Sequence, residues 1–153
     1  MSVAKEVWDL LYHVNVNDKK KPKGKFDYLS WTWAWSTMMD HFPDTSYSFT
    51  DRVFDDGSME VICEITVTHK EQQLVRSMWL PVKDFQHKAI VNPSSSDINN
   101  AKMRCLVKCL AMFGLAIYIY AGEDLPPDEG ASDSAIAATA AITNALNNAD
   151  NSG

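Results

Sequence analysis

Apolar residues recur at two different spacings in this chain, and the places where the spacing changes divide it into elements. Val3, Val7, Leu10, Leu11 and Val14 share one helical face with Trp8 beside it, which predicts a first amphipathic helix over residues 3–14. Trp31, Trp35, Met38 and Phe42 form the stripe of a second helix, capped by Ser30 and ended by Pro43 after about His41. That stripe reads as core; Trp33 lies off it and is the tryptophan placed for a subunit contact or for base stacking. From Tyr47 to Leu80 the spacing becomes two. Val61, Cys63, Ile65 and Val67 alternate with polar residues, with turns expected at Asp55-Asp56-Gly57 and at Lys70-Glu71-Gln72. The third strand, Leu74 to Leu80, sets Arg76 among the apolar residues Leu74, Met78 and Leu80. The helical spacing returns after Pro93. Ser94, Ser95, Ser96 and Asp97 are all competent caps, and a helix from near Asp97 aligns Met103, Leu106, Leu110 and Phe113. Gly114 weakens that helix, and Ile117–Tyr120 reads as a short extended or irregular end. This order predicts an α+β fold: a three-stranded antiparallel meander, a β-β-β-α core, covered on one face by the last helix and preceded by N-terminal helices.

The last helix also carries a polar line. Asn100, Arg104 and Lys108 recur every four residues, so its two cations lie about 6 Å apart along the axis. Ala101 and Ala111 flank the line, which would let an extended backbone approach closely. The plain alternative is a solvated face of an amphipathic helix.

A net charge of −6 argues against a polyanionic partner until its distribution is read. Six acids and no Lys or Arg follow Gly122, leaving 14 acids against 14 bases in residues 1–122. The chain thus divides into a neutral body, residues 1–122, and an acidic, Ala/Asn-rich low-complexity tail, residues 123–153. Lys19, Lys20, Lys21, Lys23 and Lys25 crowd into a segment broken by Pro22 and Gly24, which reads as an exposed loop able to meet phosphates.

Several chemistries find no support. Cys63, Cys105 and Cys109 lack zinc-site spacing and the four histidines are scattered, so reduced buried thiols are expected and no metal. No phosphate-binding G-x-x-x-x-G-K-[ST] occurs. The acid pairs Glu60/Glu64 and Asp84/Asp97 are the only candidates for a magnesium nuclease, and solvent-facing strand charges and a helix cap account for them better. The expectation is a protein without catalytic residues or cofactors. No apolar run of about 18 residues and no signal-like start is present, which predicts a cytoplasmic protein with no membrane contact.

The run DINNAKMRCLVKCLAMFGLAIYIYAGEDLP, with YLSWTWAW and WLPVKDFQHKAIVNP upstream, resembles the phage single-strand annealing proteins of the Sak/ERF type. These are grouped with the eukaryotic Rad-type annealing proteins, in which a helix ending in Phe-Gly carries DNA-contacting basic residues; Phe113-Gly114 and the basic line correspond. The resemblance spans roughly Tyr28 to Pro126. It implies ATP-independent binding of single-stranded DNA and annealing of complementary strands in phage homologous recombination, inside the bacterial host, by rings or filaments of subunits. Arg104 and Lys108, supported by Arg76, Lys83, Lys88, Lys102, Lys23 and Lys25, are the residues expected to hold phosphates. The competing reading is a non-catalytic adaptor or assembly protein that binds replication or recombination partners. A single-strand binding protein docking on the tail is a further expected partner.

Overall fold

The computed structural model describes residues 2–15, 20–23 and 26–121, and of residues 20–23 and 26–28 the backbone only. It falls into two units, residues 1–115 and 116–153. In the second, a 3₁₀ turn at Ile117–Tyr120 takes the place expected for an extended or irregular end, entered through Ala116 at φ 59°. Lys19, Lys25 and the tail from Gly122 onward lie outside the described residues.

In the first unit, helix α1 (Val3–Tyr12) opens with the Ser2 hydroxyl accepting the Lys5 N–H and buries Val3, Val7 and Leu11, as its spacing requires. The segment expected as a lysine loop instead pairs its backbone. Strands β1 (Lys20–Lys23) and β2 (Phe26–Leu29) run antiparallel in the register Lys20↔Leu29 to Lys23↔Phe26. Helix α2 (Trp31–His41) turns a different face inward from the one its tryptophans suggest. Its buried residues are Ala34, Thr37 and Met38, with Phe42 just beyond, whereas Trp31 is 39% exposed and Trp35 half-buried. The small side chains explain the choice, because Ala34 allows close approach and Thr37 satisfies its hydroxyl on the Trp33 carbonyl at 2.9 Å.

Strands β3 (Thr45–Val53), β4 (Met59–His69) and β5 (Gln72–Pro81) form one antiparallel sheet in that order. Val61, Cys63, Ile65 and Val67 of β4 are fully buried, so the period of two was a true signal of one covered face. The β4–β5 link is a two-residue turn in which Lys70 (φ 51°) and Glu71 (φ 65°) both adopt the left-handed conformation that such hairpins demand. Glu6 of α1 fastens to this turn through Lys70 at 2.9 Å and His69 at 3.5 Å.

Helix α3 (Ser95–Ala111) covers β4 and β5. It starts two residues before Asp97. Ser94 caps it by accepting the Asp97 N–H at 3.1 Å, and Asp97 returns the favour by accepting the Ser94 N–H at 3.0 Å. Its buried side is wider than one stripe, taking in Ala101, Cys105, Leu106, Val107, Cys109, Leu110 and Ala111, while Met103 is only half-buried. The helix ends at Ala111, and just beyond it stands Gly114, whose φ of 111° and the backbone of α1, 3.0 Å from where a Cβ would stand, admit no side chain.

Candidate nucleic-acid interface

The position of α3 on the sheet sorts the cations. Cys105 and Cys109 point down: the Cys105 thiol reaches the Met78 carbonyl at 3.3 Å and the Cys109 thiol reaches those of Arg76 at 3.4 Å and Cys63 at 3.6 Å. Burial pushes the Cys105 thiol up to about 12, and the hydrogen bond with Cys109, reinforced by burial, raises that of Cys63. Cys63 and Cys105 are thus protonated, structural thiols, while the hydrogen bond with Cys63 lowers the pKa of Cys109.

Arg104 is exposed on the flank of the helix and Lys108, one turn on, is half-buried. Arg76 comes up from β5 to the same end of α3. Its guanidinium lies 5.7 Å from the centre of the buried Phe113 ring and donates to the Val75 carbonyl at 3.0 Å. The register explains that bond. The two-residue turn makes His69↔Gln72 a hydrogen-bonded pair, so Leu74, Arg76, Met78 and Leu80 bond to β4 and Val75 turns its carbonyl to the free edge. Arg104 and Lys108 thus lie one turn apart in the C-terminal half of α3, and Arg76 lies beside Phe113, just past the end of that helix.

Lys102 does not join them. It sits about 200° around the helix from Arg104 and extends over β3, with Nζ 5.7 Å from the Phe49 ring centre. The two alanines do not frame an open face either, since Ala101 and Ala111 are both buried. Lys83 and Lys88 belong to a separate small hairpin after β5, closed by the bridge Lys83↔Ala89, on which Lys88 is exposed and Lys83 half-buried. Lys23 contributes backbone to β1; its side chain and all of Lys25 are outside the described residues.

A row of aromatics went unnoticed in the sequence. Trp35 meets Tyr47 edge-on at 5.2 Å and Tyr47 meets Phe49 at 5.5 Å, with Lys102 at the end of the row. The alternation Tyr47-x-Phe49 on one strand face was the available signal, and it places the two rings beside α3 where α3 itself does not cover β3. The opposite sheet face is less suited to phosphate: it carries Glu60 and Glu64 beside the cross-strand pair Ile62↔Trp79, with Trp79 60% exposed.

The acid pairs weighed as nuclease ligands have other employment. Asp97 closes the α3 cap and Asp84 accepts two N–H groups of its own turn. Among the described residues no group of three or more His, Cys, Asp or Glu side chains is arranged to hold a metal, and no helix is long and apolar enough to cross a membrane. No curated protein matches the chain. The family model described as Sak Single Strand Annealing Protein matches residues 5–151.

Proposed function

Because this chain belongs to the Sak single-strand annealing protein family, we propose that it binds single-stranded DNA without ATP along the Arg76, Arg104 and Lys108 surface and pairs it with a complementary strand in phage recombination. The observation that supports the surface assignment is that Arg104 and Lys108 stand one turn apart on α3, with Arg76 beside Phe113 past its end and the acids Glu60 and Glu64 on the other side of the sheet. Backbone contacts hold a strand without reading it, so specificity comes from pairing itself. Lys83 and Lys88 extend the basic surface along the hairpin after β5, Lys102 adds a separate cation on the β3 side, and Lys23 and Lys25 are further phosphate contacts in this reading.

Few cations per subunit mean weak binding per subunit, and tight binding then comes from many subunits on one strand. Two features support assembly into rings or filaments. The outer edges of β3 and β5 have no strand partner among the described residues, and Trp79 stands exposed beside one of them. The acidic residues 123–153 take no part in holding phosphate in this reading and offer a docking segment to a single-strand binding protein.

The test is a titration of labelled single strands over a salt series, followed by annealing of complementary strands without nucleotide. Arg104→Ala and Lys108→Ala should each weaken binding and flatten the slope of log K against log[salt] by roughly 0.7. Unchanged affinity and slope in the double variant would remove this surface from the interface.

A further inference from the structure

Phe85 is 89% exposed, more than any other large apolar side chain among the described residues. It stands at the tip of the hairpin that follows β5, and the hairpin is built to hold it there. The Asp84 Oδ1 accepts the N–H groups of Gln86 at 2.8 Å and Lys88 at 3.1 Å. The Asp84 N–H donates to the Lys88 carbonyl at 2.8 Å, the His87 N–H donates to the Asp84 carbonyl at 3.0 Å, and His87 takes φ 63° to close the turn. Below it the Lys83↔Ala89 bridge and the Ile90 N–H on the carbonyl of buried Val82, at 3.0 Å, root the hairpin on the first unit. A ring so held does not fold back to find cover, so its free faces await something flat and apolar.

The neighbours specify what. Lys83, His87 and Lys88 lie within three residues of it on the same hairpin, and the one acid there, Asp84, has a carboxylate oxygen committed to backbone N–H groups. An aromatic face among cations suits a ligand that is both flat and anionic, which a nucleotide is. A single strand presents free base faces, whereas a duplex has already stacked them, and stacking is indifferent to base identity.

We propose that Phe85 is a stacking post for one base of the bound single strand, with Lys88 and Lys83 beside it on the adjoining phosphates. The proposal rests on the annealing reading above and adds a base contact to its phosphate contacts. It also gives the hairpin a role distinct from that of α3, which holds charge only.

The experiment compares the full-length protein with Phe85→Ala and Phe85→Trp on oligo(dT) and on a strand of equal length carrying abasic sites, by fluorescence anisotropy across a salt series. Phe85→Ala should weaken oligo(dT) binding by about 5- to 140-fold, the range for loss of one stacked base, with the salt slope unchanged because no phosphate contact is lost. Phe85→Trp should retain the wild-type affinity. On the abasic strand, wild type and Phe85→Ala should bind alike. The ring is exposed, so its removal leaves no cavity and thermal stability should hold. Phe85→Ala equal to wild type on oligo(dT) overturns the stacking post while leaving the annealing reading in place. A loss of equal size on both strands, with a smaller assembly by light scattering, overturns it in favour of a contact between copies. A wild-type protein that does not bind oligo(dT) removes the annealing reading and this proposal together.

Discussion

Gly114→Ala should unfold this protein more readily than any surface change, and the structure says by how much. A Cβ at this position would lie 3.0 Å from the Trp8 carbonyl oxygen, 3.3 Å from Trp8 Cε3 and 3.3 Å from the Tyr12 nitrogen. Two of those three atoms are backbone of α1, so no side-chain rotation relieves the contact; α1 must lift or the α3 terminus must move. Overpacking of this kind costs about 1–3 kcal/mol. A residue with a Cβ at φ 111° adds about 1–2 kcal/mol of backbone strain. The sum is about 2–5 kcal/mol, a large part of the stability of a domain this size. Urea unfolding at fixed protein concentration, followed by circular dichroism, should show a lower midpoint with an unchanged m value. The salt slope of DNA binding measured on the folded variant should stay that of the wild type, because Gly114 seats a helix and holds no phosphate. A variant within 0.5 kcal/mol of wild type would mean that α1 is not seated against this glycine. The Phe-Gly pair thereby acquires a mechanical explanation: Phe113 lies under the Arg76 guanidinium, and Gly114 lets α1 close over the helix end.

Three further outcomes follow from local geometry. Ser94→Ala opens the reciprocal cap of α3 and should cost about 1 kcal/mol in the same urea assay, with Asp97→Ala adding less than a second full increment because both serve one motif. Glu71→Gly relieves a side chain at φ 65° in the β4–β5 turn and should stabilise the protein by about 0.5–1 kcal/mol after the entropy of the new glycine is charged against it; a loss of stability would show that the turn is unstrained. Cys105 keeps its proton to about 12 when folded against an ordinary 9.0, so its contribution is complete below pH 9. Between those values the unfolded chain releases the proton while the folded chain retains it, and stability should fall by about 1.4 kcal/mol per pH unit for this thiol; Cys105→Ala should show an alkaline loss shallower by that slope.

The sequence alone determined the elements whose signal is local. Burial alternates along β4 because a strand turns each successive side chain to the opposite face, so Val61, Cys63, Ile65 and Val67 announced the covered side of the sheet without any knowledge of what covers it. The α3 cap, the turns flanking β4 and the family resemblance were legible for the same reason: each is written in contiguous residues. Only the tertiary structure decided which face of each helix is inside. Trp31 looked like core by size and spacing, yet α2 packs through Ala34 because close helix approach favours a small residue over a large one. Ala101 and Ala111, read as an open border to the basic line, are buried, since the sheet and the neighbouring helix claim both sides of α3. Lysine and proline disfavour strands, but the register of β1 with β2 is set by a partner several residues away and overrides that preference. Where Arg76 comes to lie needed the β4–β5 register: the two-residue turn sets it opposite Ile65 on the covered face, and a slip of one residue would turn it to the other face.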